Sequence, residues 1–447
     1  MKLVSSLVMS FTTAALLVGC SDSSTSENIV ELELFSNKAE NIATYESMID
    51  QFEKDNPTIR IHLYAPPDAE TLLRTRLVKN DMPDILAIAG NALYRELVSV
   101  DMLVDYKGEP MLETVQSAYL QTLSDLEGSE SHGIHGVPFA ANANTMIYNK
   151  AKLEELGGEI PNTWDEFIHL LEKAKEAGEI PIYFTFKDAW TTMPAWNSLA
   201  GNLQPKQFAE RKTNQELSFQ ETHQEVAEKY LQLKEYGHDR MFGIGYHDGN
   251  QAFSQGEGVF YSQGNWAVPE LLKLNPDLDL GVFALPVTND LNKNNLVSGI
   301  DVLFATLKES KHQEEAKKFI SFMMEEERQK QYMKEQSAFS VRKDVISNDP
   351  VMRGIQKNFK EGKISSFPDH FYPAGMGVQN MVQELLYQGN TSKLLKDLDR
   401  EWDQIQLRYQ GSESIEKSTT SFFVYDHPGS FFVFYFPHLP SHSGYIL

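Results

Sequence analysis

The sequence predicts an α/β protein built on largely parallel sheets flanked by helices. Two observations carry that expectation. Strand-period and helix-period segments alternate from residue 29 onward, and the helical runs end at Asn, Pro or Gly stop signals. Composition is the third. Of 447 residues, 41% are hydrophobic and 23% charged, which supplies a packed core and excludes a chain disordered throughout. At about 100–200 residues per domain, that length suggests two or three domains.

The elements follow in order. Lys2 is a minimal positive region, and Leu3 to Val18 is apolar and broken only by Ser and Thr. The stretch is too short and too polar for a stable membrane span, so residues 1–19 read as an export signal. It closes on Leu17-Val18-Gly19-Cys20, before Ser21-Asp22-Ser23-Ser24-Thr25-Ser26. Either a plain secretory signal happens to precede a cysteine, or the segment is a lipoprotein signal: Leu17 to Cys20 resembles a bacterial lipobox. That resemblance implies lipidation of Cys20 and a polar tether over residues 20–27. Cys20 is the sole cysteine, so no intramolecular disulfide forms.

Val30, Leu32 and Leu34 alternate with Glu31, Glu33 and Phe35 as a strand that breaks at Ser36-Asn37-Lys38. Ile42, Tyr45, Ile49 and Phe52 recur at helical spacing until Asp55-Asn56-Pro57. Ile59, Ile61 and Leu63 then alternate, giving a strand–helix–strand unit whose strands should lie parallel. A helix over residues 69–79 leads to a strand over 84–89. Phe139 to Tyr148 is extended, with Asn142 and Asn144 on one alternation. Thr163 and Glu166 fit a capping box, opening a helix with Trp164, Phe167, Ile168, Leu171 and Ala174 on one face and Gly178 as its stop. Ile180 to Phe186 reads as a strand, and Lys311 to Glu335 as one long charged helix. From Ser421 to Leu447 a single charge, Asp426, stands against nine Phe and Tyr. No function is assigned to that aromatic tail, taken as 411–447.

Charge and motifs narrow the chemistry. With 40 Lys and Arg against 63 Asp and Glu, the net charge of −23 repels nucleic acid and anionic lipid headgroups. There is no phosphate-binding glycine loop ending in Lys, no His-Glu-x-x-His zinc helix, no Gly-x-Ser-x-Gly elbow and no Cys-x-x-Cys pair. No cofactor or metal is expected. His132 and His135 read as a turn rather than as ligands. Carboxylate pairs for glycoside hydrolysis stay open, because acids are plentiful. Binding is favoured over catalysis.

The positive signals lie at strand ends, where open parallel sheets bind ligands. Asn37 and Asn91 stand there, with Asn142 and Asn144 in the long extended segment. Neutral amides beside close backbone suit a ligand rich in hydroxyl groups, although each asparagine also reads as a turn or cap. Trp190 and Trp196 occupy an irregular stretch, and Trp266 follows Gly264-Asn265 after a short strand. An indole face stacks on the C–H face of a pyranose while its N–H bonds a hydroxyl. The alternative for each is core packing, which is the reading for Trp164 and Trp402. Asp301, Lys38 and Glu257 are either rim charges or ordinary solvated residues.

Together these residues resemble the bacterial ABC-importer solute-binding lipoproteins, in the sugar-binding class that includes maltose-binding protein. The resemblance rests on Phe52-Glu53-Lys54-Asp55-Asn56-Pro57-Thr58-Ile59, Pro83-Asp84-Ile85, Gly136-Val137-Pro138, Tyr148-Asn149-Lys150 and Thr163-Trp164-Asp165-Glu166-Phe167. It continues through Gly256 to Trp266 and covers residues 28–410. Asn265 stands where that family often has Ser. The resemblance implies a two-lobed periplasmic-binding-protein-like fold, with residues 28–139 plus 301–345 in one lobe and 140–300 plus 346–410 in the other. It further implies a monomer outside the cytoplasm, lipid-anchored to the cell membrane through Cys20. Such a protein captures carbohydrate through Asn37, Asn91, Asn142, Asn144, Trp190, Trp196, Asn265, Trp266 and Asp301, without reaction, and passes it to a permease. A secreted polysaccharide hydrolase and a binder of a non-sugar solute are the alternatives.

Overall fold

The computed structural model describes residues 29–66, 69–128 and 131–420. The expected export signal, Cys20 with its expected tether, and residues 421–447 lie outside them. Ten strands are found among the described residues: β1 (Val30–Ser36), β2 (Ile59–Tyr64), β3 (Ile85–Ile88), β4 (Val137–Asn149), β5 (Ile182–Tyr183), β6 (Phe260–Gly264), β7 (Leu280–Phe283), β8 (Leu296–Thr306), β9 (Phe339–Ser340) and β10 (Ile364–Ser365). The chain divides into two compact units. The first runs to Ala141 and resumes over Ile300–Ser347; the second takes Asn142–Gly299 and resumes at Asn348.

In the first unit β1 lies parallel to both β2 and β3, as the strand–helix–strand pattern requires. The helix Ile42–Asp55 connects β1 to β2 and buries Tyr45, Met48, Ile49 and Phe52. β8 closes the other side, antiparallel to β3, with Leu86 opposite Ala305. The core is strongly aromatic: Phe139 packs on Phe304 at 4.9 Å and on Tyr332 at 4.7 Å. Such ring pairs contribute beyond their buried area.

In the second unit β4 lies between β6 and β7 and runs against both, while β5 is parallel to β6. The sheets are therefore mixed. Of the two long strands, β4 runs against β6, β7 and β9, and β8 runs against β3 but parallel to β10. The helix Trp164–Glu176 opens on the expected capping box: the Thr163 hydroxyl accepts the Glu166 N–H at 3.3 Å, and the Glu166 carboxylate accepts the Thr163 N–H at 3.2 Å. Trp164, Phe167, Leu170, Leu171 and Ala174 are its buried residues, so Leu170 takes the place expected for Ile168. Trp164 and Trp402 are both core residues.

Three expectations differ from the structure. Lys311 to Glu335 forms two helices, Gln313–Met323 and Glu326–Gln336, because the apolar stripe ends at Met323 and Glu325 turns extended. Ile180 to Phe186 pairs as a strand only at Ile182–Tyr183, although the run stays buried. A fully buried apolar run has no period to tell strand from buried loop. The last helix begins at Thr391 and continues past residue 411 to Thr420. Among the described residues no helix is long and apolar enough to cross a membrane.

Candidate functional site

The second unit gathers four of the expected residues at one end of its sheet. β4 and β6 pair in register with Asn144 opposite Gly264. One step further, Asn265 clamps the backbone of β4: its N–H donates to the Ala143 carbonyl at 3.2 Å, and its Oδ1 accepts the Ala143 N–H at 2.7 Å. That pair of hydrogen bonds to one residue fixes the end of β6 between Asn142 and Asn144. The Asn142 carbonyl is held in turn by the Ser298 hydroxyl at 2.7 Å. Asn265 also accepts the Val268 N–H at 3.1 Å, so the helix Ala267–Leu274 starts at once.

Trp266 stands at this strand-to-helix turn, half-buried, with its indole folded back over Gly264. Any Cβ at position 264 would fall inside the indole ring, so only glycine admits this placement. The Trp266 Nε1 is buried with no hydrogen-bond partner, and so is the Asn144 Nδ2. Buried donors are nearly always satisfied, so these two are exceptions, as is the Trp402 Nε1 in the core. Sequence reasoning missed Gln263, which precedes the turn. It is wholly buried, donates from Nε2 to the Thr185 hydroxyl at 3.1 Å, and leaves its Oε1 without a partner. Its position in the middle of a strand gave no signal.

The two remaining tryptophans of this unit separate. Trp190 lies exposed in the helical turn Ala189–Thr192 that follows β5. Trp196 is wholly buried in the core, its indole stacked toward His223 and its Nε1 donating to the Tyr372 hydroxyl at 3.4 Å. That is the placement of a packing residue. Burial among Phe208, Phe219 and Trp196 also pushes the His223 imidazole down to about 3.

The first unit carries the other three. Asn37 continues β1 beyond its last strand residue, its N–H donating to the Ala87 carbonyl at 3.1 Å, and its Oδ1 is buried without a partner. Lys38 beside it is paired with Asp301 at 2.7 Å, and both side chains are largely buried. They form a neutral couple rather than two solvated rim charges. Glu257, by contrast, sits at the surface with Arg240 at 3.4 Å. The Asn91 amide is spent on structure: its Oδ1 caps the helix Ala92–Ser99 at the Leu93 N–H, and its Nδ2 donates to Glu70 at 2.8 Å. The His135 ring faces the buried Glu127 carboxylate at 2.9 Å, as part of a packed turn. Among the described residues no cluster of three His, Cys, Asp or Glu could hold a metal.

Comparison with known proteins gives these geometries a context. Residues 47–358 match the family described as bacterial extracellular solute-binding protein. The multiple sugar-binding protein of Streptococcus mutans is 29% identical over 326 residues, covering 70% of this chain and 76% of that relative. RafE in complex with raffinose shares the fold at a TM-score of 0.70 and 22% identity, over 84% of this chain and 100% of that one. A sugar transporter of Bacillus licheniformis in complex with stachyose gives 0.67 and 24%, again over 84% and 100%.

Proposed function

Since the chain belongs to the bacterial extracellular solute-binding proteins, we propose that it captures a neutral oligosaccharide and delivers it to an ABC importer permease. The observation that carries this reading is the orphan pair at the end of β6. Asn144 Nδ2 and Trp266 Nε1 are donors aimed at no protein acceptor, beside an indole that offers a flat apolar surface. Sugar hydroxyls supply acceptors and a pyranose supplies the C–H face. Asn142 and Asn265 hold the frame of this site. In the first unit Asn37 offers an unpartnered acceptor, the complement a sugar hydroxyl needs as donor. Among the candidate residues, charge is confined to the Lys38–Asp301 couple, which is internally neutral. An anionic solute would call for an uncompensated Arg or Lys fork.

The same reading makes the protein a carrier without catalysis. It acts as a monomer outside the cytoplasm, anchored to the cell membrane by lipid on Cys20. Named relatives bind several sugars, and two fold neighbours hold raffinose and stachyose. Those two sugars are therefore the first probes. Purified protein titrated with each should show saturable binding, a raised unfolding midpoint and full recovery of intact sugar. Ligand at 100 times its Kd stabilises by about 2.7 kcal/mol. Turnover of either sugar, or no midpoint shift across a panel of neutral oligosaccharides, would overturn the proposal.

A further inference from the structure

β5 is two residues long, and its shortness leaves the end of β6 with one backbone neighbour. The two strands pair at Ile182 with Phe260 and at Tyr183 with Tyr261, and the ladder stops there. β6 runs on to Gly264, and among the described residues Ser262 to Gly264 pair with β4 alone. A strand end held on one side opens more readily than one held on both. Here a side chain takes over from the ladder. Continued by two residues, the β5–β6 register places Thr185 beside Gln263, and the Gln263 Nε2 donates to the Thr185 hydroxyl at 3.1 Å.

Thr185 is a fixed point. The Thr191 hydroxyl donates to its carbonyl at 2.6 Å, and the preceding Phe184 carbonyl accepts from His238 Nε2 at 2.8 Å. The helix Tyr246–Ser254 passes so near that a Cβ on Gly249 would lie 2.1 Å from the Thr185 Cγ2. The Thr185 methyl therefore faces that helix and its hydroxyl faces β6. As packing, the bridge is a poor choice. Gln263 and Thr185 are both buried, and the Gln263 Oε1 has no hydrogen-bond partner. An apolar pair of the same shape would fill the space without that penalty. What the amide adds is position. The chain goes from Gln263 through Gly264 into Asn265 and Trp266, and Asn265 grips Ala143 on the other flank. Resting on the capture reading above, we infer that Gln263 is a positioning residue. Braced on Thr185, its amide sets the Asn265–Trp266 turn in the geometry that receives sugar, at some loss of stability.

The test uses the full chain as Gln263→Met, Thr185→Val, their double variant and Thr185→Ser, each titrated with raffinose and stachyose. The first two substitutions are apolar and nearly isosteric, and Thr185→Ser keeps the hydroxyl. Gln263→Met and Thr185→Val should each weaken sugar binding by roughly 3–10-fold, the scale of one hydrogen bond. The double variant should be no weaker than either single, because all three lose the same bond. Its sugar-free unfolding midpoint should equal or exceed that of wild type. Thr185→Ser should bind within about twofold of wild type. In sugar-free Gln263→Met the Asn265 and Val268 amides should exchange hydrogen roughly 3–10-fold faster, while the Phe260 amide, bonded to Pro181, keeps its rate. Wild-type affinity in both apolar variants, additive losses in the double variant, unchanged exchange at the turn, or a Thr185→Ser protein as weak as Thr185→Val overturns the positioning role and leaves capture intact. So does a double variant that loses sugar-free stability together with affinity, because packing then accounts for both. A wild type that binds neither sugar overturns the capture reading for this class and the positioning role with it.

Discussion

Gly264 and Trp266 form a single device, and each residue tests the other. Trp266→Ala removes the indole, and sugar affinity should fall by roughly 10–200-fold. The unfolding midpoint of the sugar-free protein should move little, because the ring is only half-buried. Gly264→Ala keeps the indole but drives it from its place, since the new Cβ and the ring would occupy one volume. It should cost affinity on a similar scale. A large loss of sugar-free stability in Trp266→Ala with affinity unchanged would make it a core residue. Asn144, Asn265 and Trp266 could be proposed from the sequence because two amides and an indole flank one short strand end, although each also has a structural reading, and Asn265 does clamp the backbone of β4. Gln263 was not legible, because its hydrogen bond is to Thr185 in the buried loop that follows β5. His223 was also invisible as a titrating group. Burial lowers it to about 3, below its ordinary value of about 6.5, so the folded protein holds it neutral. Its contribution is complete above about pH 6.5 and is lost as pH falls toward 3. The loss is about 1.4 kcal/mol per pH unit at most. Urea midpoints of wild type and His223→Phe should therefore converge in the variant's favour between pH 7 and pH 4. Parallel curves would show that His223 does not stay neutral in the fold.

At the level of elements, legibility followed period. β2 and the helix Ile42–Asp55 carry clear periods of buried and open residues, β1 does so as far as Leu34, and each lies within a residue or two of where the sequence put it. The capping box of Thr163 and Glu166 is a local motif and needs nothing distant to form. The failures are segments whose partners are remote. The helix Phe219–Thr222 is too short to stand alone, and a buried carboxylate from the last helix holds it. Asp399 accepts the Phe219 N–H at 2.8 Å and the Gln220 N–H at 3.2 Å, and lies 3.4 Å from the buried Lys212 ammonium. No sequence pattern links residues 212, 219 and 399. Asp399→Ala should destabilise the protein by about 1–3 kcal/mol, since it leaves two backbone donors unpaired while Lys212 keeps Asp403 at 2.6 Å. Adding Lys212→Met should recover little of that loss, because the two backbone donors stay unpaired. Chemical unfolding of the two variants decides the matter: an Asp399→Ala protein as stable as wild type would mean that the network carries no net stability.

For the molecule as a whole, the division of labour follows from where charge and polarity lie. Two α/β units carry the neutral amides and the indole of the proposed binding site at sheet ends. The helices contribute packing. A net charge of −23 spread over such a body gives it no affinity of its own for anionic lipid. The proposed residence at a membrane then rests on a covalent anchor, and the sequence offers Cys20 for it. Cys20 is the only thiol, and it stands between an apolar leader and a Ser/Thr-rich spacer. One acyl chain gives only marginal binding, so stable anchoring needs a doubly or triply acylated N-terminus. Cys20→Ala should therefore release the folded protein or leave it with its leader uncleaved, in either case without incorporated fatty acid. Membrane fractionation with labelled palmitate separates the outcomes. If the variant pellets with membranes in the same processed form as wild type, the anchor is not at Cys20 and the lipoprotein assignment fails. Sugar titration of the released variant should still match wild type, because the binding residues lie in the folded units and draw nothing from the lipid.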